Sequence, residues 1–250
     1  MRIGLVRRGY SPSGGAERYL KRFGEALAKR DHEAVLFSSP RWPRAGWPYG
    51  PVVPVHGESP QTFAAALERL GPDRHCDFLY SLERVHACDA YRAGDGVHRA
   101  WLARRKLLEP GWRVAMRSLV NHKHREILAL EKQLLAERRA GHIVVNSEMV
   151  RREIAATYGY PDERIHTVYN GVPIRSFQRM PDARKRVRER FLLAERDLLV
   201  LFAGSGWERT SKASLRPGSQ AVMGSTKGPV ENSQWRTAPT PSPTRRARIG

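Results

Sequence analysis

The chain of 250 residues holds only two cysteines, Cys76 and Cys88. That is too few for a disulfide framework, and their spacing is not the paired CxxC of a zinc knuckle, so they read as free thiols in a reducing compartment. No apolar run approaches the roughly 18 residues of a membrane-spanning helix. The first residues read as a strand rather than a long apolar signal region, so a cytoplasmic location is expected. Acidic residues are scarce: 25 Asp and Glu stand against 44 Lys and Arg, a formal net charge of +19. A field of that sign favours an anionic partner such as a nucleic acid, a lipid surface or a phosphorylated substrate. An Arg-rich codon bias would leave the same signature. Nucleic acid is disfavoured because the basic residues lack interleaved aromatics for base stacking and no recognition motif is present. No carboxylate pair of the DxD kind follows a strand. His122 and His124 stand two apart on a helical segment and so point to different faces, so no metal ligand set is expected.

What is present begins at the first turn of the chain. Ile3, Gly4, Leu5 and Val6 form an apolar run, followed by Arg7, Arg8, Gly9, then Gly14 and Gly15, then an amphipathic segment. This order reads as a buried strand, a glycine loop and a helix, which leaves backbone N–H groups free to hold an anion. Gly9 and Gly14 have the outer spacing of a P-loop, but Gly15 and Ala16 stand where the phosphate-gripping Lys and the magnesium-binding hydroxyl belong. The dinucleotide fingerprint GxGxxG also fails, and the second strand, through Val35, Leu36 and Phe37, runs into Ser38 rather than a ribose-binding acid. The paired glycines therefore mark either a ligand-holding loop or only a tight strand-to-helix connection.

Strand-like and helix-like segments alternate to about Arg209, the sign of a parallel sheet with helices on both faces. Ala16, Tyr19, Leu20, Phe23 and Leu27 make one helical apolar stripe. Short apolar runs at Val35–Phe37, Val52–Val55, Phe78–Tyr80, Ile143–Val145 and Ile165–Tyr169 read as strands. Pro40, Trp42, Pro43, Trp47 and Pro48 mark an irregular loop, Gly71 and Pro72 end a helix, and Ser147 caps another. Ala90 to His98 reads as a strand end and turn punctuated by Gly94 and Gly96 around Asp95. A long helical pattern runs from Trp112 to Arg139, and ten Lys and Arg lie between Arg104 and Arg139. Sharing a face, they would hold the protein on an anionic leaflet; a solvated helix face is the alternative. Leu198 to Ala203 reads as the opening strand of a second α/β domain with a glycine turn at Gly204 and Gly206. Beyond it, 210–250 turns to Ser, Thr, Pro, Gly and Arg without period, a composition that reads as disordered. It leaves Leu198–Ala203 with an open sheet edge.

Four segments in this order, SPSGGAERYL, IVVNSEMVRREI, RIHTVYNGV and LLVLFAGSGWER, resemble the glycosyltransferases of family four, which have the two-domain GT-B architecture. Within that family, the segment DFLYSLERVHACDAYRAGDGVHRAWL with the basic helix after it is similar to bacterial transferases that add the first sugars to the lipopolysaccharide core. The resemblance covers roughly Met1 to Arg209. It implies a Rossmann-like doubly wound parallel sheet over 1–175 as the N-terminal, acceptor-side half of a GT-B fold. It implies further a linker and first strand of a second domain over 176–209, and a disordered, frame-shifted tail over 210–250.

The family's chemistry is transfer with retention from a nucleotide-sugar donor, such as a UDP-sugar, without an obligatory metal or other cofactor. The acceptor would be a bacterial envelope glycolipid or polysaccharide, reached from the cytoplasm or the inner face of the plasma membrane. Residue by residue, the resemblance places Gly14 and Gly15 at the loop approaching the donor phosphates and the acceptor. It places Asp95 where a polar residue faces the acceptor hydroxyl, a position at which a carboxylate accepts or orients a proton; a solvated Asp in a glycine turn is the alternative. Arg209 matches the Arg of the diphosphate-neutralising Arg-Lys-Gly motif. Position 210 is Thr and 211 is Ser, however, and the only acid after Glu208 is Glu231, so no Glu-x7-Glu element follows. Pro173 stands where an acid usually follows Asn-Gly-Val. These departures imply a truncated, inactive form of the enzyme. The competing classes are a non-catalytic acceptor- or membrane-binding remnant and, on charge alone, a basic nucleic-acid-binding protein.

Overall fold

The computed structural model describes residues 1–11, 14–108, 122–172, 174–178, 180, 182–197, 199–203, 220–225 and 234–237. The chain forms two compact units, Met1–Gly171 and Val172–Gly250.

The first unit is built on β1 (Arg2–Arg7), β2 (Glu33–Ser38), β3 (Val52–Pro54), β4 (Phe78–Ser81), β5 (Cys88–Arg92), β6 (Ala140–Val145) and β7 (Ile165–Thr167). They make one seven-stranded sheet in the order β3-β2-β1-β4-β5-β6-β7. Every pairing is parallel: Leu5 lies opposite Leu36 on one side and Tyr80 on the other, Ala90 opposite Tyr80 and His142, and Ile143 opposite Ile165. Helices α1 (Gly15–Ala28), α2 (Pro60–Leu70), α3 (His98–Leu108), α4 (His122–Glu131) and α5 (Glu148–Tyr158) accompany it. This is the doubly wound α/β fold that the alternating sequence predicts.

Side chains alternate across a strand, so neighbours in sequence enter different cores. Leu5 and Leu36 pack with Leu20 and Leu27 of α1 on one face. Val6, Val35 and Phe37 pack on the other with Phe63 and Leu67 of α2, Leu130 of α4 and Ile154 of α5. With both faces covered, the strands carry near-continuous apolar runs, as parallel strands must. Gly4 is the exception inside β1, and the packing explains it: a Cβ there would stand 2.5 Å from Cys76 Sγ and 2.9 Å from Phe37 Cε2.

The ends of α2 follow local rules. Ser59 Oγ accepts from the Thr62 N–H while Thr62 Oγ1 accepts from the Ser59 N–H, and Gly71 closes the helix at φ 67°. Ser147 caps α5 as its position suggests, accepting from the Val150 N–H at 3.4 Å. The segment between β2 and β3 is irregular as expected, but it is not peripheral. Trp42 and Trp47 are buried on the α1 face, and Trp47 Nε1 donates to the Ala34 carbonyl at 2.8 Å. The long helix read over Trp112–Arg139 ends at Ala136, before Arg139. It comprises α4 followed by a π-helical turn at Lys132–Ala136, and the wider turn brings both Leu134 and Leu135 into the core. Residues 109–121 of that pattern, with Arg113 and Arg117, lie outside the described residues.

In the second unit α6 (Ala183–Arg190) precedes a sheet ordered β10-β9-β8, made of β8 (Leu199–Ala203), β9 (Gln220–Ser225) and β10 (Gln234–Thr237). Within 210–250 the described stretches are thus strands. The triplet Ala221–Met223 pairs in parallel with Val200–Phe202 and covers one side of β8, which remains the edge strand of this sheet. The rest of that segment lies outside the described residues.

A buried carboxylate ties the helices of the first unit together. Glu131, only 1% exposed, accepts from Arg84 Nε at 3.1 Å, from the His98 and Arg99 N–H groups at 2.7 and 3.0 Å, and from the Tyr158 hydroxyl at 2.8 Å. It thereby serves as the N-terminal anion of α3 and the counter-charge of Arg84. Replacing it by Ala leaves that guanidinium and two helix N–H groups buried without an acceptor, so Glu131→Ala is expected to cost about 3–5 kcal/mol in urea unfolding. A loss under about 1 kcal/mol would mean that water replaces the carboxylate without penalty.

Candidate functional site

The strand order reverses between β1 and β4: the chain winds outward through β2 and β3 and then returns to the other side of β1. In an open α/β sheet, the crevice beyond the carboxyl ends of the strands at such a reversal is where ligands bind. A pocket of about 560 Å³ lies there, lined by Arg7 at the end of β1, Gly15, Ala16, Tyr19 and Arg22 of α1, Leu82 after β4, Arg92 at the end of β5, Asp95, Asn146 and Asn170. All of these belong to the unit Met1–Gly171.

The glycine loop is shaped by charge. Arg7 Nη1 donates to Glu83 Oε1 at 2.8 Å and Nη2 donates to Glu17 Oε1 at 3.2 Å. Burial disfavours the Arg7 cation, but Glu83 and Glu17 outweigh it and raise its pKa. Glu17, 4% exposed in the first turn of α1, lies against Gly14, where a Cβ would stand 1.8 Å from Glu17 Oε2. A Cβ on Gly15, by contrast, would meet nothing within 4 Å. The two glycines therefore do different jobs: Gly14 makes room for the carboxylate that braces the loop, and Gly15 faces the pocket. No side chain caps α1, whose N-cap is Gly14 itself, so its first N–H groups present the positive end of the helix to the pocket. Pro12 and Ser13 of the loop lie outside the described residues.

The opposite wall is the turn after β5, reached through Gly96 at φ 73°. Asn146 Nδ2 donates to the Gly94 carbonyl at 3.0 Å and Arg84 Nη2 donates to the Gly96 carbonyl at 2.9 Å. Both flanks of Asp95 are thereby held while its carboxylate, exposed at the rim, forms no hydrogen bond or ion pair among the described residues. Deeper in, the Tyr19 and Tyr80 hydroxyls lie 3.0 Å apart. Burial first, and then the neighbouring Tyr19, push the Tyr80 pKa well above the usual tyrosine range. Burial does the same to Tyr91. Both phenols stay protonated near neutrality and can serve as neutral hydrogen-bonding groups.

Of the residues singled out in the sequence, Gly15 and Asp95 line the same pocket, Gly14 turns inward to Glu17, and Arg209 lies outside the described residues. Glu17, Arg92, Asn146 and Asn170 were not singled out. Asn170 sits in the Asn-Gly turn after β7, and only the parallel order of the strands brings that turn to the end of β5.

Against this geometry, the profile described as Glycosyltransferase Family 4 matches residues 13–176, well over half of the chain. The chain belongs to glycosyltransferase family 4. Among solved structures it is similar to WaaG, a glycosyltransferase involved in lipopolysaccharide biosynthesis, at 18% identity and a TM-score of 0.63 over 84% of this chain and 56% of that one. It is also similar to Anabaena Alr3699/HepE in complex with UDP-glucose, at 16% identity and a TM-score of 0.52 over 89% of this chain and 60% of that one. At such identities the likeness is one of fold, and this chain spans little more than half the length of either structure. A search of curated protein sequences gave no match.

The division of labour in the glycine loop is testable without a ligand. Gly14→Ala forces Glu17 off its place beside Arg7 and is expected to lose about 1–3 kcal/mol of stability. Gly15→Ala adds a methyl group in open space and should change stability by no more than about 0.5 kcal/mol. Equal losses in parallel thermal melts would contradict the arrangement.

Proposed function

We propose that this chain supplies the acceptor-side lobe of a glycosyltransferase that moves a hexosyl group from a nucleotide-sugar, such as a UDP-sugar, to a bacterial envelope glycolipid or polysaccharide. The observation that carries this reading is the pocket at the sheet reversal of a family 4 domain, with the uncapped N-terminus of α1 on one wall and Asp95 on the other. In this reading the N–H groups at Gly15 and Ala16 stabilise phosphate oxygens with a preorganised positive dipole, which requires no reorganisation as charge develops on the leaving group. Asp95, held by the braces on Gly94 and Gly96, accepts or orients the proton of the attacking hydroxyl.

The leaving group needs more than one lobe provides. Arg209 is the one match to the family's diphosphate motif, followed by Thr210 and Ser211, and no Glu-x7-Glu element is present. We therefore expect the polypeptide by itself to bind an acceptor without turnover, because stabilisation of the departing diphosphate is the larger part of what such a site contributes. Peripheral contact with an anionic membrane belongs to the same reading, with α3, α4 and the π-helical turn after it carrying Lys and Arg. Two of these are already engaged, Arg104 with Glu153 and Lys132 with Glu137.

Two measurements test the proposal. The purified chain with labelled UDP-glucose and an envelope glycolipid fraction should transfer no label, and sustained transfer would refute the one-lobe reading. A chimaera joining residues 1–197 to the donor lobe of a GT-B relative should regain transfer and then lose about 10²–10⁴-fold in rate on Asp95→Ala. A chimaera that is active but indifferent to Asp95 would leave that residue as a turn carboxylate only.

A further inference from the structure

Arg92 is the odd charge in the pocket. It is 7% exposed, yet no carboxylate pairs with it among the described residues. Its partners are neutral: Nη2 donates to Asn170 Oδ1, the guanidinium carbon lies 3.9 Å from the centroid of the Tyr19 ring, and the Tyr80 phenol is close by. Nη1 is buried and has no acceptor at hydrogen-bonding geometry. The other cations withdrawn from solvent beside this pocket contrast with it, since Arg7 is met by Glu17 and Glu83, and Arg84 by Glu131, while Arg22 on the lining is exposed and donates to the Gly171 carbonyl. A cation taken out of water without a counter-charge destabilises the free protein, and proteins retain such charges where a ligand supplies the missing anion.

We infer that Arg92 is the anchor for a phosphate-type anion on the ligand that fills this pocket. The inference deepens the transferase reading and rests on it only for the identity of the ligand. Arg92 is pre-oriented for the task. The Tyr19 face and the Asn170 amide hold the guanidinium plane without neutralising it, a guanidinium forks onto phosphate oxygens, and the uncapped N-terminus of α1 lines the same pocket. Its Nε lies 3.8 Å from where a Cβ on Gly94 would stand, along the wall that also carries Asp95. An anion there would set the distance between the rest of the ligand and Asp95. That makes Arg92 a specificity-determining residue for phosphorylated over neutral sugars. The phosphate could belong to the acceptor sugar or to the donor's diphosphate, and the two sources are separable.

Calorimetric titration of the 250-residue chain with glucose 6-phosphate, UDP and glucose reads the pairing directly. At least one phosphate-bearing probe should bind tenfold or more tightly than glucose. Arg92→Met should weaken that probe at least tenfold while leaving the melting temperature of the free protein unchanged or raised, because an unpaired buried charge has been removed. Dependence on Arg92 confined to glucose 6-phosphate assigns the anion to a sugar acceptor, and dependence with UDP assigns it to the donor. Asn170→Asp is the second variant: a carboxylate built in beside Arg92 should raise the melting temperature of the free protein and displace the phosphate-bearing probe, again with at least a tenfold loss of affinity. The inference is overturned if neither probe binds more tightly than glucose, if both variants keep wild-type affinity, or if Arg92→Met melts several degrees lower. Failure of the chimaera to transfer sugar would sink the transferase reading and leave the Arg92 pairing standing.

Discussion

The pairing of β1 between β2 and β4 is the constraint on which the rest of the first unit depends. Once the chain has wound out through β2 and β3 and must return to the other side of β1, the connections diverge at the carboxyl ends of β1 and β4 and leave a crevice there. Everything chemical in this lobe is gathered there. The glycine loop leaves β1, Leu82 and Glu83 follow β4, the Asp95 turn follows β5, and Asn146 and Asn170 follow β6 and β7. The register is secured by alternation into two separate cores, so a one-residue slip of β1 would exchange Leu5 for Val6 on both faces at once.

Around that gap, charge is handled in two ways. Two cations are neutralised internally: Arg7 by two carboxylates that also brace the glycine loop, and Arg84 by Glu131, which in turn begins α3. These pairs rigidify the walls and add little field to the pocket. Arg92 is buried without a carboxylate among the described residues, and the N-terminus of α1 has no side-chain cap, although Glu17 stands in its first turn.

Much of the local architecture was legible from residue order. The cap at Ser147, the helix stop at Gly71, the strands through Leu36, Tyr80 and Ile143, and the glycine loop before α1 follow from rules acting over a few residues. The misses have a common cause. Trp42 and Trp47 sit in a proline-rich stretch that reads as a loop, and their burial depends on the face of β2 they happen to cover. The π-helical turn at Lys132–Ala136 arises from the demand to bury Leu134 and Leu135 together, which no periodicity of 3.6 expresses.

By itself, the order of residues determined the alternating α/β class, the family, the glycine loop and Asp95 as candidates, because turn chemistry, strand pattern and motif spacing are local properties. Tertiary structure alone decided that Gly15 and Asp95 line one pocket while Gly14 serves Glu17. It also decided that Arg92 is left without a counter-charge. Those outcomes depend on groups tens of residues apart, Arg7 with Glu83 and Arg92 with Asn170, and only the parallel stacking of strand ends brings such groups within bonding reach.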